Sequence, residues 1–120
     1  MRRVYLAGRV TAINRLREIR SELRPLGFDV VSTWLDVAQQ YPAALAQAGE
    51  SQRDLQEIRE ASLFMLDTLD ESPTGGREFE AGYAHALGIP IWRIGPARHI
   101  FHDQAIVVFN SWETFFNVRG

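Results

Sequence analysis

The stretch LFMLDTLDESPTGGREFEAGYAHALGIPIWRI, residues 63–94, decides how this chain reads. Leu63 to Leu66 is a short run that is apolar throughout, which marks a strand buried on both faces. Asp67 to Gly76 follows with Pro73, Gly75 and Gly76, the composition of a loop, and Arg77 to Leu87 then runs as a helix into Gly88 and Pro90, residues that stop one. Ile91 to Ile94 is the next apolar strand. Strand, glycine loop, helix and strand in this order make a unit whose two strands lie parallel.

Outward from that unit the same alternation recurs. Val4 to Ala7 is an apolar strand ending at Gly8, and Ile13, Leu16, Ile19 and Leu23 follow at the three- and four-residue spacings of an amphipathic helix. Pro25 to Gly27 ends that helix, and Phe28 to Val31 supplies another strand. Trp34 to Gly49 carries almost no charge beyond Asp36 and is rich in Ala and Gln, which predicts a loop with a helical piece. A helix is expected from Ser51 to about Glu60, a fifth strand over Ala105 to Phe109, and a closing helix from Ser111 to about Asn117. Strands apolar throughout that alternate with helices imply a mainly parallel sheet of five strands with helices on both faces, a three-layer α/β domain. Such sheets bind ligands at the carboxyl ends of their strands, which directs attention to Gly8–Thr11, Ser32–Asp36 and Asp67–Glu80.

With 120 residues the chain suits one domain, residues 1–120, with a single core. Charged residues make up 23% and apolar ones 46%, values that point away from disorder and from a membrane-embedded class. A net charge of −2 argues against a strongly basic nucleic-acid footprint. The arginines near the start, among them Arg15, Arg17 and Arg20, interleave with Glu18 and Glu22 as on a solvated helix face. Cysteine is absent, which rules out disulfides and thiolate chemistry and agrees with a reducing compartment; no signal peptide or long apolar run is visible, so the cytoplasm is the default.

Glu80 is the residue to explain. It sits near the start of a helix whose other positions are mostly apolar or small (Phe79, Ala81, Gly82, Tyr83, Ala84), and a desolvated carboxylate is costly unless something pairs or uses it. The helix N-terminus is expected to favour its ionised form, which is what attack on an anomeric carbon requires. The other reading, a solvent-exposed acid favoured by the helix dipole, fits the position equally well. Glu78, about 200° around the helix at two residues' distance, is expected to face elsewhere in a structural role. Gly75 and Gly76 read either as a phosphate-cradling start to the helix, with Arg77 as a charged partner, or as an ordinary tight turn. His85, His99 and His102 match no zinc spacing, so a structural or surface role is expected and no metal is called.

Thr74-Gly-Gly-Arg-Glu-Phe-Glu-Ala-Gly-Tyr-Ala-His-Ala-Leu-Gly-Ile-Pro90 resembles the nucleoside 2-deoxyribosyltransferase family, which includes deoxynucleoside 5'-monophosphate N-hydrolases, and in particular its small phage and bacterial members. Val4-Tyr-Leu-Ala-Gly8 resembles the family's opening strand and glycine turn, and Asp54-Leu-Gln-Glu-Ile58 its Asp-Leu-x-x-Ile segment. The resemblance implies a flavodoxin-like or Rossmann-like fold, and cleavage or exchange of the N-glycosidic bond of a nucleoside or nucleotide through a covalent glycosyl intermediate on Glu80. It also implies Asp54 as the acid that handles the base, although Ser51-x-x-Asp54 reads equally as a helix-capping box, and Tyr5 close to the glutamate, where a tyrosine of a buried strand is otherwise core.

Gly8, Arg9, Trp34, Asp67, Thr74, Gly75, Gly76 and Arg77 are the expected substrate contacts, Trp34 either stacking on the base or anchoring the loop after it. The sequence departs from the transferase pattern at Thr74, where the classical members carry an aspartate that Asp67 or Asp70 would have to replace. It departs from the monophosphate hydrolases at Arg77–Phe79, where those place a serine. No cofactor is implied. The expected partners are a small nucleoside or nucleotide and further copies of the chain in a homodimer or larger oligomer, with no stable nucleic acid and no membrane. Hydrolysis, and a non-catalytic nucleotide-binding module, are the alternatives to transfer.

Overall fold

Val4, Tyr5, Leu6 and Ala7 are buried almost completely, and so is every residue of Leu63–Asp67. These two segments, strands β1 (Arg2–Ala7) and β3 (Leu63–Asp67), pair side by side at the centre of the sheet, with Tyr5 opposite Phe64. The computed structural model describes residues 1–36 and 48–119, and among them the sheet is complete: β2 (Phe28–Val30), β4 (Ile91–Ile94) and β5 (Val107–Phe109) extend it in the order β2-β1-β3-β4-β5. All four pairings are parallel, so the mainly parallel sheet expected is a wholly parallel one.

The connecting helices are α1 (Ile13–Leu23), α2 (Ala48–Glu60), α3 (Gly76–Ala86) and α4 (Trp112–Arg119). The apolar spacing of α1 buries Leu16, Ile19 and Leu23, and the chain leaves through a 3-10 turn containing Pro25 to Gly27, whose φ of 91° suits a residue without a Cβ. Two boundaries differ from the sequence reading. Helix α2 is already helical at Ala48, so Ser51 lies inside it and is no capping residue. The last strand begins at Val107, two residues later than expected, after a 3-10 turn over Ile100–Gln104. Of Trp34–Gly49, expected as a loop with a helical piece, Trp34 to Asp36 are helical, Ala48 and Gly49 belong to α2, and residues 37–47 lie outside the described ones.

Side chains that alternate across the central strands separate the two faces. Tyr5 and Phe64 stack, centroids 5.5 Å apart, on the face that meets α3 through Glu80, with α2 packed beside α3. On the opposite face Asp67 is bonded by Arg15 of α1 and by Trp112 of α4. The closing helix is a core element there: Trp112 and Phe115 are buried, and Phe115 meets Phe28, Trp92 and Phe109 edge-on or tilted. Arg2 and Arg119 place their guanidinium groups over the Trp92 ring, 4.9 and 4.5 Å from its centroid.

Between β1 and β3 the strand order reverses, the position at which parallel sheets open a crevice at their carboxyl ends. Gly8 ends β1 there. A Cβ on it would stand 2.9 Å from Leu16 Cδ1 and 3.3 Å from Asp67 Cβ, so glycine is what lets α1 and the end of β3 close in.

Candidate active site

A cavity of about 490 Å³ lies over that crevice, bordered by the turn after β1, by α2, and by the loop and first turns of α3. Tyr5, Gly8, Arg9, Trp34, Asp54, Thr74, Gly76, Arg77 and Glu80 of the expected residues border it; Gly75 and Asp67 do not.

At its floor the Tyr5 hydroxyl donates to Glu80 Oε2 over 2.7 Å. Tyr5 is fully buried, and burial, with the Glu80 and Asp54 charges, holds its hydroxyl protonated far above the usual phenol range, so it is a fixed donor. Glu80 is partly buried, and its carboxyl is pushed up to about 7: desolvation is the largest cause, the Tyr5 hydrogen bond opposes it, and the Asp54 and Glu57 charges add to it. The helix N-terminus was expected to keep this group ionised. Glu80 is the fifth residue of α3, however, and the helix field fades beyond the first turn, so desolvation outweighs it.

Asp54 comes from α2 and shares the cavity with Tyr5 and Glu80. Burial and the Glu57 charge push its carboxyl up to about 6, against a smaller opposing effect of Arg53. Its Oδ1 is buried and has no hydrogen-bond partner among the described residues. Two carboxyls with pKa values near neutrality, one hydrogen-bonded to a buried tyrosine, give the cavity one group able to attack an electrophile and another able to give and take a proton.

The remaining expected contacts divide. Trp34 is buried against the cavity with its ring held in place, because Nε1 donates to Leu6 O over 2.8 Å. Arg9 borders the cavity and its side chain has no partner among the described residues. Thr74 borders it too, 3.3 Å from the Ser72 hydroxyl. Gly75 takes φ 73° as the residue before α3, with no side chain capping the helix, and Gly76 opens the helix at the cavity edge. Arg77 is buried, and its guanidinium faces the loop rather than the cavity: Nη1 donates to Asp67 O and Asp70 O, and Nε to Glu78.

Asp67 points to the opposite face of the sheet, where Arg15, Trp112 Nε1 and the Leu69 N–H all bond to it. Asp70 pairs with Arg15 as well, so neither aspartate reaches the position that Thr74 occupies. The physical reason is strand parity: Asp67 is three residues beyond Phe64, hence on the other face. Glu78 does face away from Glu80, joined to Arg77 and to His102 Nε2, while His102 Nδ1 accepts from the Arg98 N–H. Among the described residues no group of three or more His, Asp or Glu is arranged to hold a metal ion. Val10, Thr11, Leu55, Ser72 and Phe79 also border the cavity and were not named as contacts from the sequence; all but Leu55 lie in the strand-end segments Gly8–Thr11 and Asp67–Glu80 to which the parallel topology directed attention, and Leu55 carries no distinguishing pattern.

The model of the nucleoside 2-deoxyribosyltransferase family matches residues 4–107, from β1 to the start of β5. The chain belongs to that family. With it comes the family's general chemistry, transfer or hydrolysis at an N-glycosidic bond. The same architecture is found in two solved structures at low identity. The 2-deoxyribosyltransferase of the psychrotolerant bacterium Bacillus psychrosaccharolyticus is 21% identical, aligned over 96% of this chain and 90% of that one at a TM-score of 0.74. The CMP N-glycosidase BcmB of Clostridium botulinum is 20% identical, aligned over 97% of this chain and 96% of that one at a TM-score of 0.64. Comparison with curated protein sequences gives no significant match.

Replacement of Tyr5 by Phe tests the pair at the cavity floor. A hydrogen bond to the charged form of Glu80 favours that form, so its loss raises the Glu80 pKa. Tyr5→Phe is expected to lower kcat/KM by about 10- to 100-fold at pH 7, the value of one charge-assisted hydrogen bond. The acid limb of the pH profile should move upward. An unshifted profile with undiminished kcat/KM would dissociate Tyr5 from the chemistry.

Proposed function

We propose that this single-domain chain exchanges the N-glycosidic bond of a (deoxy)nucleoside or its 5'-monophosphate through a covalent glycosyl intermediate on Glu80. The observation that carries this reading is the 2.7 Å hydrogen bond by which buried Tyr5 aims Glu80 into a cavity that it shares with Asp54.

In the first step a Glu80 carboxylate oxygen forms a bond to C1' of the sugar while the C1'–N bond breaks. The base departs with that electron pair and takes a proton from Asp54, whose pKa of about 6 leaves a protonated fraction near neutrality. In the second step an acceptor base attacks C1', the ester bond to Glu80 breaks, and Asp54 recovers a proton from the acceptor. Configuration at C1' is retained, since each step inverts it. Tyr5 keeps one oxygen of Glu80 occupied and so presents the other. Trp34 supplies an immobile aromatic wall suited to a base, and a cavity of about 490 Å³ is in the range that holds a small ligand.

A second reading, hydrolysis with water as acceptor and a nucleoside 5'-monophosphate as substrate, draws on one observation. The position where classical transferases carry a carboxylate is Thr74, and the hydroxyls of Ser72 and Thr74 stand at the cavity with Arg9, which has no partner among the described residues, a neutral-to-cationic rim suited to a phosphate. Exposed Phe79 and Phe101, 67% and 59% accessible, support assembly into a homodimer or larger oligomer. No helix among the described residues is long and apolar enough to cross a membrane.

Incubation with deoxynucleosides and their 5'-monophosphates, with and without a second base, separates the readings by chromatography of the products. Exchange only in the presence of acceptor supports transfer, and free base without acceptor supports hydrolysis. If neither product forms with any substrate, and mass spectrometry detects no sugar adduct on Glu80, the glycosyl-transfer reading is wrong.

A further inference from the structure

Glu57 is buried, 9% accessible, and stands one helical turn after Asp54 on α2. Buried carboxylates are retained when something pairs or uses them. The partners of Glu57 are not cations. Its Oε1 accepts from the Thr33 N–H at 3.1 Å and its Oε2 from the Thr33 hydroxyl at 2.7 Å, a bidentate hold on one residue. Thr33 directly precedes Trp34, whose indole is in turn bonded to Leu6 O, next to Tyr5. Hydrogen bonds therefore link the helix that carries Asp54, through Thr33 and Trp34 in the segment after β2, to the strand that carries Tyr5.

We propose that Glu57 is a positioning residue of the cavity, tying α2 to Thr33 so that Asp54 and Trp34 are held in a fixed relation to Tyr5 and Glu80, with its own carboxyl placed near theirs. It touches neither the cavity lining nor Glu80 by any hydrogen bond. Its influence passes through Thr33 and through space.

Among the described residues, the groups facing Glu80 are Tyr5 from β1, Asp54 and Glu57 from α2, and Arg9 at the rim from the turn after β1, while Glu78 on its own helix is turned toward Arg77 and His102. Glu57 contributes to the upward displacement of both Asp54 and Glu80. As a role in turnover this rests on the glycosyl-transfer reading above; as a placement of side chains it does not.

Two substitutions separate geometry from charge. Glu57→Ala removes both. Glu57→Gln keeps the hold on Thr33, because the amide oxygen accepts from the N–H and the amide nitrogen donates to the hydroxyl once that hydroxyl has turned, but it removes the charge. The readouts are kcat and KM for base release or exchange, the Glu80 carboxyl midpoint by carbon NMR titration, hydrogen exchange of the Trp34 indole N–H, and the melting temperature.

Glu57→Ala is expected to raise KM about tenfold and to speed exchange of the Trp34 indole. Glu57→Gln is expected to return KM and indole exchange to parental values, while both variants lower the Glu80 midpoint by about half a pH unit, the effect of one nearby charge. A fall in melting temperature alone, with KM, indole exchange and the Glu80 midpoint all unmoved, overturns the proposal, and so does a Glu57→Gln variant that fails to restore KM. Should the parent turn over no nucleoside, the glycosyl-transfer reading fails by itself, and the indole and Glu80 signals still decide the placement. Should Glu57→Ala not fold, the Glu80 midpoint and KM of Glu57→Gln decide it.

Discussion

Glu80→Gln is expected to reduce base exchange or release by at least about 10³-fold, the loss typical of a missing nucleophile, while the protein becomes more stable at pH 8. The amide still accepts from the Tyr5 hydroxyl, so the floor of the cavity keeps its geometry. Its oxygen is too weak a nucleophile to form the ester with C1'. The gain in stability has a definite sign. The Glu80 carboxyl titrates at about 7 in the folded chain against an ordinary 4.5, so between those values the folded state binds the extra proton.

Stability then falls as pH rises through this window, and above about pH 7 the charged carboxylate is a full liability. Its removal should raise unfolding free energy by about 2 kcal/mol at pH 8, after discount for partial exposure, and by almost nothing at pH 4. Calorimetry of parent and variant across pH 4–8, beside a product assay, reads both effects. Retention of more than a tenth of parental activity would remove Glu80 from the reaction. A melting temperature that falls at pH 8 would mean that the carboxylate is stabilising and that its environment has been misjudged.

Asp67→Ala should act on folding in the opposite direction, with a loss of about 3 kcal/mol. Asp67 is 1% accessible and receives hydrogen bonds from Arg15, from Trp112 Nε1 and from the Leu69 N–H. Its removal leaves the buried Trp112 indole N–H without its acceptor, leaves Arg15 with Asp70 alone, and unties α1 and α4 from the end of β3. Chemical denaturation measures the loss. A variant that unfolds at the parental denaturant concentration yet binds nucleoside poorly would return Asp67 to the substrate-contact role that its place at a strand end suggested. The two faces of the sheet thus carry different assignments: stability on the side of Asp67 and, in the proposed reaction, chemistry on the side of Tyr5.

Much of the architecture was legible because parallel strands buried on both faces must be apolar throughout, and helices packed on them must show apolar positions at threefold and fourfold spacing. Leu63–Leu66, Val4–Ala7 and the run from Ile13 to Leu23 obey these constraints and lie where expected. The short edge strands and the 3-10 turn Ile100–Gln104 were less legible, since three to five residues carry no period. The helix start at Ala48 was misjudged because Ser51 offers a capping pattern that a helix already under way does not need.

At the site, the sequence by itself determined that a carboxylate sits in an apolar helix after a glycine loop, at the carboxyl end of a parallel sheet, and its motifs were enough to match it to its family. Only the tertiary structure decided which groups meet. That Tyr5 donates to Glu80, that Asp54 and Glu57 crowd the same region from a helix some 25 residues earlier, and that Asp67 and Arg77 are engaged elsewhere all depend on strand parity and on how α2 and α3 pack together. The protonation of Glu80 is decided at this level as well. A helix field is local and can be read from position, but desolvation and the charges of distant segments exist only once the chain has folded, and here they are the larger effect.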